Sequence, residues 1–224
     1  SALTPSPGTV PCCCHLHQIF VNEVNYNNCA GGTTFVEIAG PAAATIDDVP
    51  EDFPFYELYI FNQEGDCIGF KEALIGVADP SDPSVGIDDY GFQTFDLMDS
   101  DLPPEGFGLI VQDFLQIDRD MVAFGGSDIV TTGSSAVGAE CDLTETGIVA
   151  GMLIPDTGVA EMSVDEDGSQ SLQRTGCGAT TMEFDCWVGP LESTKGAATV
   201  GQLIQDSDSC PDTRFGMPHV VSLR

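Results

Sequence analysis

The feature that most constrains the fold of this chain is a series of short apolar runs separated by clusters of turn-forming residues. Val, Ile, Phe and Tyr dominate the runs, whereas Gly, Pro, Asp and Ser dominate the connections. The runs are HQIFVNEVNY, TTFVEIAG, FYELYIFN, DCIGF, YGFQTFDL, GFGLIVQDF, DMVAFG, TGIVAGMLI, VAEMSV, QSLQRTG and DCWVGP. Such runs are typical of β-strands, and no segment shows the sustained apolar period of a helix. We therefore predict an all-β protein of about ten strands, and the lack of a fixed repeat favours a sandwich over a propeller or solenoid.

Charge and composition narrow the classes of partner. The chain has 36 acidic and 6 basic residues, a formal net charge of -30, yet 42% of its 224 residues are hydrophobic. That apolar fraction is too high for a disordered acidic tail, so a folded body with a polyanionic surface is predicted. Such a surface repels phosphate backbones and anionic lipid, which argues against nucleic acid and membrane insertion as partners. Calcium or a saline medium is the expected counter-charge.

The composition also changes along the chain. We predict a β-sandwich over residues 19–204, a Cys- and Pro-rich N-terminal arm over 1–18 and a C-terminal tail over 205–224. The segments 78–90 and 99–106 are rich in proline and acids, and they are predicted to be solvated connections. The chain begins SALTPSPG, with neither Met nor an apolar signal segment, which suits a mature secreted form after signal removal.

Nine cysteines without any CxxC pair predict disulfides in an oxidising, extracellular compartment, not a zinc site or a redox pair. Because nine is odd, at least one sulfur is expected to be free or bonded to another molecule. The pairing stays open, since eight paired cysteines allow on the order of a hundred connectivities. The candidate disulfide residues are Cys12, Cys13, Cys14, Cys29, Cys67, Cys141, Cys177, Cys186 and Cys210.

Three of these, Cys12, Cys13 and Cys14, stand in a row directly before the first predicted strand. One interpretation is a set of disulfides within the subunit, and another is a metal cluster with His15 and His17. A third follows from strand geometry: alternate side chains point opposite ways, so Cys12 and Cys14 can bond to their own sandwich while Cys13 faces a neighbour. The triple cysteine is thus a candidate cross-link between subunits.

Clusters of carboxylates in turn-forming sequence are candidate calcium ligands. Hard oxygen donors are what calcium prefers, and the DEDGS segment has an Asp-x-Asp-Gly kernel without the further ligands of a calcium-loop signature. The alternative for each cluster is a solvated acidic surface. The residues proposed as weak calcium ligands are Asp47, Asp48, Asp165 and Asp167.

No Asn-x-Ser/Thr sequon is present, so any glycan attached to this chain is expected to be O-linked. The proline-rich arm offers Thr4, Ser6 and Thr9 as weak candidate acceptors. A bound sugar is a separate possibility, but the chain has a single tryptophan, Trp187, which is predicted to be part of the core.

Catalytic motifs are missing from the sequence. There is no GxSxG, HExxH or P-loop, and histidine occurs only at positions 15, 17 and 219. Arg119 and Arg174 stand out because bases are scarce, and each is predicted to form a structural ion pair with nearby acids. We therefore predict a protein that is not an enzyme.

Five segments in a fixed order resemble the secreted form of the lamin-tail-domain family. They are FVEIAGPAAATIDD, YELYIFNQEGDCIG, GFGLIVQDF, SLQRTGCG and WVGPLESTKGAATVGQ, and the resemblance runs from Ile19 to Ile204. The chain departs from the family at Thr199, where members commonly have Asn. The resemblance implies an immunoglobulin-like β-sandwich that serves as a non-catalytic module in secreted and surface proteins.

Together these features predict a non-enzymatic secreted structural protein that assembles with copies of itself into a fibre, sheath or matrix. The expected mechanism is addition of the arm or tail to the sheet edge of a neighbour, locked by disulfides between subunits. The alternative is a monomeric calcium-dependent adhesion or carbohydrate-binding module on a surface.

Overall fold

A computed structural model describes residues 14–15, 19–26, 34–41, 56–73, 90–97, 101–113, 118–144, 146–159, 169–174, 187–197 and 204–205. In chain order its strands are β1 (Cys14–His15), β2 (Phe20–Asn25), β3 (Thr34–Pro41), β4 (Tyr56–Asn62), β5 (Cys67–Ala73), β6 (Tyr90–Leu97), β7 (Phe107–Asp113), β8 (Asp118–Phe124), β9 (Ile129–Val130), β10 (Leu153–Ile154), β11 (Gln170–Arg174), β12 (Trp187–Glu192) and β13 (Ile204–Gln205). Every element in these ranges is a strand, which confirms the predicted all-β class.

Two antiparallel sheets form a sandwich-like body. The larger sheet has five strands in the order β12-β11-β2-β3-β6, and the smaller has four in the order β5-β4-β7-β8. Two short pairs complete the described strands: β9 with β10, and β1 with β13 in parallel. The parallel pair places Cys14 beside Ile204, so the two ends of the described chain lie next to each other.

The main core lies between the two sheets. In β4, alternation directs Tyr56, Leu58 and Ile60 into this core, as the period of a strand requires. Aromatic rings fill its centre, with Tyr26 edge-on to Phe107 at 5.0 Å and Phe124 edge-on to Trp187 at 5.0 Å between ring centroids. Aromatic side chains of this size contribute much of the free energy of core burial. Trp187 lies in this core, as predicted.

A second apolar cluster covers the opposite face of the four-stranded sheet. Residues 125–144 and 146–159, here called the cap, leave β8 and fold over that face. Ile129, Ile148 and Ile154 of the cap pack on sheet residues that include Tyr59 and Phe61. The smaller sheet is therefore buried on both faces, which explains why β4 carries apolar side chains at consecutive positions.

The cap also reaches both edges of the smaller sheet. On β5, the Cys67 amide donates to the carbonyl of Ser134 at 2.9 Å, and on β8 the Ala123 amide donates to the carbonyl of Pro155 at 2.8 Å. These contacts occupy backbone groups that an edge strand otherwise leaves open to other chains. The disulfide between Cys67 and Cys141 joins the cap to β5 with a Cα separation of 6.2 Å.

The run TGIVAGMLI was predicted to be a strand, and this prediction is wrong for most of its length. Only Leu153 and Ile154 are strand residues. Gly147 and Gly151 have φ values of 74° and 89°, a left-handed conformation that breaks the extended chain. The run instead supplies a loop whose apolar residue Ile148 packs under the cap.

The segment 99–106 was predicted to be a solvated connection, and within its described residues the structure shows an apolar anchor. Leu102 is buried in the main core, while Pro104 and Glu105 are exposed. The Gly106 amide closes the turn by donating to the carbonyl of Pro103 at 3.1 Å. The residues of the other predicted connection, 78–90, lie outside the described residues except for Tyr90.

Candidate ligand-binding pocket

A pocket of about 790 Å³ lies between the smaller sheet and the cap. Small-molecule sites have volumes of this order and combine apolar walls with a few polar groups. The pocket is lined by Glu57, Tyr59, Phe70, Ala139, Glu140, Cys141, Asp142, Thr144 and Thr146.

Neighbouring strands supply the floor of this pocket. Glu57 and Tyr59 alternate with the core residues of β4, so both project from the face that the cap covers. Tyr59 pairs across the strands with Phe70 of β5, and the two ring centroids are 5.1 Å apart with an interplanar angle of 41°. The Tyr59 hydroxyl donates to Glu57 Oε2 at 3.0 Å, which fixes both side chains.

The wall of the pocket comes from the cap and is tied down at several points. The disulfide holds Cys141, and the Ser135 hydroxyl donates to the Cys141 carbonyl. From the sheet, the buried Gln112 side chain donates to the Thr146 carbonyl at 2.7 Å. A wall held on two sides is preorganised, so binding a ligand orders little further chain.

The charge of the pocket is negative. Among the lining residues that the structure describes there are three carboxylates, from Glu57, Glu140 and Asp142, and no Lys, Arg or His. The Thr144 amide and hydroxyl donate to Asp142 at 2.9 and 2.7 Å and lower the pKa of that carboxyl, which therefore stays ionised. Burial first, and then the hydrogen bond and charge of Glu57, raise the pKa of Tyr59, so its phenol stays neutral.

A second polar cluster lies on the larger sheet. Glu23 of β2 and Glu37 of β3 are cross-strand partners, and both are fully buried. Glu23 accepts hydrogen bonds from the hydroxyls of Ser171 at 2.7 Å and Ser193 at 2.6 Å. The Thr194 amide and hydroxyl donate to the same carboxylate, at 3.0 and 2.7 Å. The Glu23 carboxylate thus holds β11 and the turn after β12 against β2.

Glu37 is held by a separate set of donors. The Asn22 side chain donates to Oε1 at 2.8 Å, and the Thr94 hydroxyl and Gly196 amide donate to Oε2. Burial outweighs these hydrogen bonds and, with repulsion from Glu23, raises the pKa of Glu37 from 4.5 to about 7. Because donors from the protein already occupy both of its oxygens, this cluster secures the turn and offers little room for a ligand.

The structure pairs two of the candidate disulfide cysteines, whose partners the sequence left open: Cys67 is bonded to Cys141. Cys14 belongs to β1. The other predicted cysteines, Cys12, Cys13, Cys29, Cys177, Cys186 and Cys210, lie outside the described residues. The candidate cross-link at Cys13 therefore stays a prediction.

The predicted calcium and glycan residues also lie outside the described residues. They are Asp47, Asp48, Asp165 and Asp167 for calcium, and Thr4, Ser6 and Thr9 for glycans. Across the ranges that are described, no group of three or more His, Cys, Asp or Glu side chains is arranged to hold a metal ion. Within the same ranges there is no helix with the length and apolar character needed to cross a membrane.

The prediction of an ion pair at Arg174 is confirmed. Its guanidinium donates to Asp120 Oδ2 at 2.8 Å and Oδ1 at 3.3 Å. The same guanidinium carbon lies 5.4 Å from the Phe20 ring centroid and 5.2 Å from that of Trp187. Asp120 belongs to the smaller sheet and Arg174 to the larger one, so the pair joins the two sheets through the interior.

Sequence reasoning named Cys141 as a disulfide candidate but missed the other pocket residues. The alternation in YELYIF was enough to place Glu57 and Tyr59 on one face of a strand. Nothing local indicates that the ECD segment at 140–142 returns to the same place, because that approach depends on contacts 74 residues apart in the chain. The pocket is a product of the tertiary fold.

The fold and the pocket define this protein as an all-β, sandwich-like protein with a preorganised acidic and aromatic pocket. No family model, no curated protein and no solved structure matches the chain.

Proposed function

We propose that this chain is a non-enzymatic extracellular binding module, an immunoglobulin-like sandwich of the lamin-tail type that holds its ligand in the pocket beneath the cap. The observation that carries the proposal is the meeting of the Tyr59 and Phe70 rings with the Glu57 and Asp142 carboxylates in one concave site. Apolar rings and a few fixed polar groups are what recognition sites use to hold and orient a ligand.

The hydrogen bonds of the pocket favour recognition over catalysis. The Tyr59 phenol donates to Glu57, and the Thr144 hydroxyl donates to Asp142. A nucleophile needs a base with a pKa near the working pH, and the pKa of Asp142 is lowered while that of Tyr59 is raised. The disulfide beside the pocket supports an oxidising, extracellular setting.

Nuclear magnetic resonance of the full chain tests this function. We expect at least one probe among calcium chloride, choline, lysine amide and glucose to shift the ring resonances of Tyr59 and Phe70. Calcium alone tests the calcium-dependent form of the module, and glucose tests the carbohydrate-binding form. Phe70→Leu should weaken the response of the Tyr59 resonances, whereas the matched control Phe92→Leu on β6 should leave that response unchanged. Ring resonances that respond to no probe would overturn the assignment of the pocket.

Self-assembly is the second candidate function, and the pairing of β1 with β13 favours it. That pair joins the predicted arm, residues 1–18, to the start of the predicted tail, with Cys14 beside Ile204 and His15 beside Gln205, so the arm and the tail start from one place. Two segments that leave from one place are suited to reach the same neighbouring subunit. In the described sheets β6 is an edge strand of eight residues, the geometry to which a strand from a neighbour adds.

Deletion of residues 1–14 tests this second function. We expect the deletion to abolish the polymers that the full chain forms on non-reducing gels and in electron micrographs, while circular dichroism keeps the strand signal. Replacing Cys12, Cys13 and Cys14 by Ser is the matched control, because it separates the covalent cross-link from strand addition. Polymers that survive the deletion unchanged would refute the role of the arm.

A further inference from the structure

The chemistry of the pocket identifies a class of ligand, provided that the pocket is the binding site proposed above. Tyr59 and Phe70 supply two aromatic rings to the lining, with centroids 5.1 Å apart. The face of an aromatic ring carries negative charge density, and it attracts a cation that lies within about 6 Å of the ring centroid. Tyr59 is 2% exposed and Phe70 is partly exposed, so Phe70, backed by Tyr59, offers most of the apolar contact and of the attraction for a positive group.

The carboxylates around the rings add a field of the same sign. Glu57 comes from β4, and Glu140 and Asp142 come from the cap, so negative groups flank the rings from the sheet and from the cap. Burial contributes most to the raised pKa of Tyr59, and the charges of Glu57, Asp142 and Glu72 add to it. An anionic ligand is repelled from this site, and a neutral ligand gains nothing from the field.

The spacing of the acids argues against a bare metal ion. Calcium takes six to eight oxygens at about 2.3–2.6 Å, so its ligands must converge on one point. No three His, Cys, Asp or Glu side chains of the described residues converge in that way, and those of the pocket are included in this finding. A cation whose charge is spread over several carbon-bearing groups does not need such convergence, because it interacts with rings and separate carboxylates at once.

We infer that the pocket binds an organic cation: an ammonium or guanidinium group on a short apolar body. The partly exposed Phe70 ring, backed by Tyr59, contacts the apolar body and the charged head, while Glu57 and the cap acids balance the charge. A pocket of about 790 Å³ holds a small free amine of the choline type or the side chain of a basic residue from a partner protein. Both sources present the same chemistry to the site.

Isothermal titration of the full chain with choline and with 3,3-dimethyl-1-butanol tests the inference. These two compounds have nearly the same shape, but only choline is charged. We expect choline to bind about tenfold or more tightly than its neutral isostere, and its affinity to fall as salt is added. Equal affinities, or choline binding that is indifferent to salt, would overturn the inference.

Variants locate the binding in the pocket. Glu57→Gln keeps an acceptor for the Tyr59 hydroxyl and removes one charge, so we expect choline binding to weaken by roughly two- to fivefold. Phe70→Leu removes one ring and should weaken it by about three- to tenfold. Glu105→Gln is the matched control, since Glu105 is exposed beside Gln63 at the far end of β4, and it should leave the affinity unchanged. Equal losses from the control and the pocket variants would refute the location.

Other probes separate this inference from the proposed binding function. A peptide that carries one lysine, compared with the same peptide carrying glutamine, distinguishes a partner's side chain from a free amine as the source. If glucose or calcium shifts the Tyr59 and Phe70 resonances while every organic cation fails, the inferred ligand class is wrong and the binding function stands. If no probe acts on these rings, both the ligand class and the binding function are overturned.

Discussion

Asp120→Ala is expected to lower the free energy of unfolding by about 3–5 kcal/mol, the cost of removing one partner from a buried ion pair. Asp120 and Arg174 are 1% and 2% exposed, and the carboxylate also accepts the Val21 amide at 2.8 Å. The substitution removes the group that neutralises Arg174 in the interior and leaves the Val21 amide in need of another acceptor. Chemical denaturation monitored by Trp187 fluorescence measures the loss, because the guanidinium packs over that ring.

Two controls distinguish the ion pair from other consequences of this substitution. Asp120→Ala combined with Arg174→Met removes both charges, so the double variant should recover part of the stability lost by the single one. Asp96→Ala breaks the exposed pair with Lys195 and should cost less than about 1 kcal/mol. If Asp120→Ala proves no more costly than Asp96→Ala, the buried pair does not join the sheets energetically.

Relative to wild type, Glu37→Gln is expected to gain up to about 3 kcal/mol of stability as the pH rises from acid to alkaline values. The folded state raises the pKa of Glu37 from 4.5 to about 7, so folding favours the protonated carboxyl. The stability that Glu37 contributes is complete below its unfolded pKa and is lost as the pH rises through the folded value. Glutamine stays neutral at every pH and does not incur this loss. Its NH2 group replaces an oxygen that accepts a hydrogen bond, and the resulting cost does not depend on pH.

The measurement is the difference in unfolding free energy between wild type and Glu37→Gln across the range from about pH 4 to 8. The difference is used because the other acids of a chain with net charge -30 add their own pH dependence to both proteins. Glu105→Gln, an exposed substitution of the same type, should change stability by less than about 0.5 kcal/mol. If this difference in unfolding free energy stays constant with pH, the pKa of Glu37 is not raised in the folded protein.

Most of the strands were predicted from a local pattern, an apolar run bounded by turn-forming residues. In β4 and β7, apolar runs bounded by turn residues predicted strands that the structure places at Tyr56–Asn62 and Phe107–Asp113. The prediction failed at TGIVAGMLI because the residues fit a strand in composition, while Gly147 and Gly151 take a left-handed conformation. Composition does not reveal which glycines use that freedom.

Glu23 and Glu37, the acid pair on the larger sheet, show a different limit of prediction from sequence. In β2, strict alternation places Val21 and Glu23 on the same face, but the register shifts between these two residues. This bulge directs Val21 into the core and leaves Glu23 opposite Glu37 on the other face. A prediction that assumes strict alternation of side chains along the strand misses the bulge. The buried acid cluster was therefore not predicted.

The sequence by itself determined the all-β class, most of the strands and the negative charge, because these depend on local residue preferences and on composition. It also determined that Arg174, a scarce base among acids, would find a carboxylate. The tertiary structure alone decided that Asp120 is that carboxylate, that the cap covers the smaller sheet, and that Cys141 bonds to Cys67. The pocket belongs to this second group, because its rings and acids meet only when segments distant in the chain pack on one sheet face, and the burial that drives such packing has no fixed spacing in sequence.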